Sequence, residues 1–203
     1  MEKALLICFI LAATQAKTQT ISTVIGNPQT VIQLNMGNQP TPTSAEIGDG
    51  GKAGSANIID PSNIVIDPSG NIYFVDGGHY RVRKISTDGM ISTLAGNGKQ
   101  GKGKDKTTAI KDAFEPAGLA IDAKGNIYVS DAFAHKLRKI DAAGIITTIA
   151  GTNKSGFSGD EGLAIKAQLN NPYNVAVDGA GNVYFTDNGN ARIRKINPEG
   201  IIP

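Results

Sequence analysis

The chain has 203 residues, 40% of them apolar, with a formal net charge of +2, 25 glycines, one cysteine and no tryptophan. Length and apolar share suffice for one domain with a real core, and the near-neutral charge points to no acidic partner. Abundant glycine with few aromatics suits many short strands joined by turns better than a helical bundle.

The N-terminus reads as a secretory signal: Lys3 supplies a positive start, Ala4 to Ala13 is apolar, and Thr14-Gln15-Ala16 resembles a small-residue cleavage site. An apolar run this short falls well below the roughly 20 residues that span a bilayer. Residues 1–16 are therefore expected to be removed on export, with no membrane span and a mature chain beginning near Lys17. The expected location is periplasmic, cell-surface or extracellular. Cys8 lies inside the apolar run behind a bulky Ile7, so it is a poor lipid-attachment site and leaves the mature chain without a thiol or disulfide.

Residues 17–60 hold an isolated strand sequence, Ile21 to Ile25, and a Pro-, Thr- and Asn-rich stretch between Gly26 and Gly48 that reads as a long surface loop. Such loops carry binding or are tolerated insertions. Three copies of one unit follow, at 61–115, 116–171 and 172–203, the last incomplete. The strings GNIYFVD, GNIYVSD and GNVYFTD, ending at Asp76, Asp131 and Asp187, mark them at steps of 55 and 56 residues.

Each complete unit offers four short apolar runs, in the first copy Ile64 to Ile66, Ile72 to Val75, Val82 to Ile85 and Ile91 to Ala95. Strings such as NIYFV are apolar on both faces, as a strand needs when its sheet is sandwiched between neighbours. DPSGN, DAKGN and DGAGN, beginning at Asp67, Asp122 and Asp178, join the first two strands. Asp leads each turn, where its carboxylate can accept backbone N–H groups, and Gly supplies the left-handed residue. Tyr73, Tyr128 and Tyr184 are expected in the core between units. RVRKI, KLRKI and RIRKI alternate basic with apolar residues and place the charges on a solvated or ion-paired face.

These residues resemble NHL repeats: proline, an apolar-Asp strand, Gly-Asn-apolar-Tyr, Asp, an apolar-Arg-Lys-Ile strand and a Thr-Ala-Gly strand. The resemblance covers Pro61 to Pro203 and extends to ISTVIG at Ile21. It implies an all-β fold, a β-propeller of four-stranded blades that is commonly six-bladed, and exported bacterial members with a GDGG connection between blades. That connection stands before Pro61 and Pro172; before Pro116 it is degenerate, with Lys104 in the place of Asp49 and Asp160. About three blades are present. The chain is either a partial propeller or half of a six-bladed ring, the second requiring a head-to-tail homodimer in which each N-terminal strand completes its partner's third blade.

In a repeat protein the shared positions hold the fold, so specificity is sought where copies differ. The loop after the second strand reads GGHY, AFAH and NGNA, and the residue after the leading proline also varies. His79, Tyr80, Phe133, His135 and Tyr173 are the ligand-binding candidates, although a histidine near the place of His135 is common in NHL units. Asp76, Asp131 and Asp187 are expected to cap the loop after the second strand; converging on a cation is the alternative. Lys99, Lys102, Lys104 and Lys106 form a basic, glycine-rich loop without the ending of a phosphate-binding loop.

The favoured function is a noncatalytic binding scaffold for a protein, peptide or glycan, with no cofactor and no nucleic acid. A propeller lyase or hydrolase using a divalent metal, amidating-lyase-like or lactonase-like, is the alternative. With two histidines and no mature cysteine, its ligand set would need a carboxylate. RNA binding, known for cytoplasmic NHL proteins, sits poorly with a signal peptide.

Overall fold

The structure is a computed structural model that describes residues 22–27 and 42–203. The expected signal peptide, Cys8 and most of the loop insertion lie outside the described residues. Among the described residues, fourteen strands run β1 (Pro61–Ile66), β2 (Ile72–Asp76), β3 (Arg81–Ile85), β4 (Ile91–Ala95), β5 (Thr107–Thr108), β6 (Pro116–Ile121), β7 (Ile127–Asp131), β8 (Lys136–Ile140), β9 (Ile145–Ala150), β10 (Gly162–Leu163), β11 (Pro172–Val177), β12 (Val183–Asp187), β13 (Arg192–Ile196) and β14 (Ile201–Ile202). They form three blades of a β-propeller. The first is the meander β1-β2-β3-β4, the second is β6 to β9 with β5 added outside β9, and the third is β11-β12-β13 with β14 paired to β10.

The turns form as their chemistry requires. The Asp67 carboxylate accepts from the Asn71 backbone N–H and side-chain amide and from the Tyr73 hydroxyl at 2.9, 2.7 and 3.0 Å. Asp122 and Asp178 repeat this with Asn126 and Tyr128, and with Asn182 and Tyr184. The Tyr73 and Tyr128 rings fill the space between blades, whereas Tyr184, on the outer face of the third described blade, is only partly buried; all three hydroxyls close their turns, and Lys84, Lys139 and Lys195 sit over the rings at 5.6, 5.8 and 5.9 Å.

Successive blades meet face to face in a repeated seam. Between the first two, Tyr73, Val75 and Val82 pack against Leu119, Ile127, Val129 and Ile140. Between the second and third, Tyr128 and Leu137 pack against Val175, Val183, Phe185 and Ile196. Gly118 is required there, because a Cβ at that site would run into the Tyr173 carbonyl oxygen. In place of a side chain, its N–H donates to Ser130 Oγ at 2.7 Å, and Ser130 donates onward to the Tyr173 carbonyl.

The isolated N-terminal strand is not a strand among the described residues, yet it is docked. Gly26 and Asn27 donate to the Ala53 and Ala56 carbonyls, as Gly96 and Asn97 donate to those of Ala109 and Asp112. Residues 22–27 thus occupy the place of a preceding blade's outermost strand.

Candidate functional site

Two features at one end of the blades combine residues distant in sequence. The first is a buried ion cluster in each blade. Arg83, fully buried on β3, donates to Asp76 at 2.9 Å and to Asp49 at 2.8 Å, and Thr93 donates to the other oxygen of Asp49 at 2.7 Å. In the third blade Arg194 bridges Asp187 at 3.2 Å and Asp160 at 2.7 Å.

In the second blade Arg138 meets Asp131 at 3.5 Å, Asp112 at 3.1 Å and Asp105 at 3.4 Å, and Thr148 donates to Asp105 at 2.6 Å. Asp105, rather than Lys104, therefore fills the place of Asp49 and Asp160. Asp112 is an extra carboxylate where the other blades have Ala56 and Ala167, and it accepts from the Lys104 N–H at 2.7 Å. That bond anchors a connection lacking the glycine that Gly48 and Gly159 supply. Both glycines lie at positive φ, and a Cβ on either would come closer than 3.0 Å to those alanines.

The alternating basic strand is thus ion-paired through its middle arginine. Asp76, Asp131 and Asp187 accept from the Ile59, Glu115 and Asn170 N–H groups at 3.0, 3.1 and 2.6 Å, tying down the segment that enters each blade. All three also reach the loop after their strand: Asp131 through the Ala134 backbone N–H at 3.4 Å, Asp76 and Asp187 through the side chains of His79 and Asn190. Burial raises the Asp131 carboxyl to about 6, against the pull of the Glu115 N–H and Arg138. Among the described residues no three His, Cys, Asp or Glu side chains form a metal-ligating group.

The second feature is an open groove of about 470 Å³ across all three blades. Asp60, Ser62 and Tyr80 come from the first blade, Gln100 and Glu115 from the entry to the second, and Asn171 and Tyr173 from the third. Asp60, Glu115 and Asn171 each precede a leading proline, so the repeat carries one varied side chain per blade to the same rim. Gln100 donates to the Glu115 carboxylate. Two carboxylates, two amides and two phenols line it without a lysine or arginine.

Of the sequence candidates, Tyr80 and Tyr173 come together in this groove, and Tyr173 is exposed. His135 stands behind it: its Nδ1 accepts from the Asn171 N–H at 3.0 Å, which fixes the neutral tautomer with the proton on Nε2. His79 is buried and its Nδ1 donates to Asp76 at 2.9 Å; Asn190 does the same for Asp187 at 2.8 Å. Phe133 is exposed on its loop but does not line the groove. Sequence reading missed Asp60, Glu115 and Asn171. Their signal was a variable position before an invariant proline.

The profile of the Teneurin NHL domain matches residues 14–109 and 97–158. Teneurin-4 of Homo sapiens is 28% identical over 73% of this chain, which spans only 8% of that protein. A structure of a protein of unknown function from Bacteroides thetaiotaomicron is 29% identical, covers 65% of this chain and 34% of its own, and has a TM-score of 0.57. A chain of a Nidogen/Laminin complex shares the fold at 17% identity and a TM-score of 0.52, over 72% of this chain and 48% of its own. With the repeated Asp–Asn–Tyr turns and blades described above, the chain belongs to the NHL-repeat β-propeller proteins.

Proposed function

We propose that the protein is an exported, noncatalytic scaffold that takes a protein, peptide or glycan along the groove. The observation that carries this reading is the groove's construction: three blades bring equivalent but chemically different side chains to one rim, on a backbone the repeat keeps constant. Asp60 and Glu115 favour a ligand rich in N–H, O–H or cationic groups, such as a basic peptide or sugar hydroxyls, and disfavour the phosphates of RNA. Tyr80 and Tyr173 supply flat apolar surface with a hydrogen-bonding tip. Among the described residues no helix is long and apolar enough to cross a membrane. On this reading the binding form is a head-to-tail pair of chains, with both grooves at the same end.

Arrays of basic peptides and of neutral glycans, probed with the full chain, test the groove. A ligand class should be captured, and Tyr173→Ala or Asp60→Asn should weaken it at least about tenfold. Capture that neither substitution changes, or metal-dependent turnover of an ester or lactone panel, would overturn it.

A further inference from the structure

The connection entering the second blade departs from its two counterparts and leaves a cavity where they close. Counted from the paired aspartates Asp49, Asp105 and Asp160, Gly103 is equivalent to Ile47 and Ser158, and Ala113 to Gln168. In the first unit the place is filled, because Ile47 is fully buried. In the third it is closed by pairing: the Ser158 N–H donates to the Gln168 carbonyl at 3.5 Å, the Gln168 N–H to Ser158 Oγ at 3.1 Å, and the Gly156 N–H to the Leu169 carbonyl at 3.1 Å. In the second unit the side chains of Gly103 and Ala113 are too small to meet. Among the described residues neither the Gly101 nor the Gly103 N–H donates to the protein. Gly103 and Ala113 instead line an open cavity of about 490 Å³.

The wall of this cavity is basic. The whole chain carries a net charge of only +2, yet Lys102, Lys104 and Lys111 all line it. The first unit has Glu46, Gly48 and Ser55 at those positions, and the third has Phe157, Gly159 and Lys166. None of the three lysines pairs with a carboxylate among the described residues. Asp112, the one carboxylate in the wall, is already engaged: Oδ1 accepts from the Lys104 N–H at 2.7 Å, and Oδ2 stands 3.1 Å from Arg138. The Thr107 hydroxyl, also in the wall, has no protein partner among the described residues. Ammonium groups gathered around a concave surface repel one another until a counter-charge enters, and the concavity strengthens their field.

We propose that this cavity binds a tetrahedral oxyanion, the phosphate or sulfate group of a small ligand. The three lysines supply the charge, and the Gly103 N–H and Thr107 hydroxyl are the neutral donors that fix its orientation. The site goes beyond the groove and does not rest on it. The two share no lining residue, and Asp60 and Glu115 of the groove would repel the same ligand.

Calorimetric titration of the full chain with inorganic phosphate, inorganic sulfate and methyl phosphate at low ionic strength tests the proposal. Saturable binding is expected, weakening as sodium chloride is added. Lys102→Gln and Lys111→Gln should each weaken it about tenfold, and both side chains are exposed, so the fold should persist. Ala113→Gln should abolish binding without altering any charge. It installs the third unit's side chain opposite Gly101, just as Gln168 lies over Gly156. Lys99→Gln, on the same loop but outside the cavity, should leave binding unchanged. Tighter binding of methyl phosphate would assign the site to an ester group, and tighter binding of an inorganic ion to the free anion; either supports the site. Absence of saturable binding, binding that survives Ala113→Gln, or a loss in Lys99→Gln equal to that in Lys102→Gln would each overturn it.

Discussion

Arg83, Arg138 and Arg194 illustrate how a buried charge becomes a structural requirement. Each carries a guanidinium into the blade and finds carboxylates placed by two other segments. Removing one partner of such a group strands the rest. Arg83→Met should cost about 3–5 kcal/mol in urea unfolding, far more than loss of an exposed pair. Asp131 adds a pH dependence. Its carboxyl is raised in the fold from 3.8 to about 6, so folding favours its neutral form, and the stability it contributes is present below pH 3.8 and lost as pH rises through about 6. Asp67 and Asp178 work in the opposite sense: the side-chain amides of Asn71 and Asn182 hold them below 3.8, so their contribution fades as pH falls through that lower range. Urea midpoints should therefore fall between pH 4.5 and 7, by roughly the extent these pKa shifts allow, and Asp131→Asn should flatten that fall.

At the scale of strands and turns, most of the architecture was readable beforehand. Periodic prolines, Asp–Gly–Asn turns and four apolar runs per unit announce their own spacing, because hairpin contacts are local. What resisted reading was any pairing set by a distant partner. Asp105 is identified by Thr148, 43 residues away, and its neighbour Lys104 breaks the glycine pattern that would have shown the register. The groove was hidden for the same reason: Asp60, Glu115 and Asn171 meet only after three blades have packed. Packing between blades also fixes the consequence of a small substitution. Gly118→Ala should destabilise the chain by about 1–3 kcal/mol, because its Cβ would drive into the Tyr173 carbonyl and displace the Ser130 bridge. Thermal unfolding of that variant beside Gly179→Ala separates the seam effect from the general cost of replacing glycine, since Gly179 has neither a positive φ nor a neighbour within 4 Å.

For the whole molecule, the repeat implies that one position can have different energies in different blades. Leu119→Ala should cost about 2–5 kcal/mol, as expected for a side chain removed from a core, whereas Ile64→Ala at the same repeat position should cost little in the isolated chain. The loops beyond the second strands carry a further implication. Tyr80, His135 and Ala191 share a left-handed backbone, with φ of 51°, 53° and 52°, while presenting a phenol, an imidazole and a methyl group. The scaffold has therefore uncoupled loop shape from loop chemistry. Four-residue cassettes such as GGHY and NGNA should be transplantable from one blade to another, giving a library in which ligand preference changes while the melting behaviour of the propeller stays nearly constant.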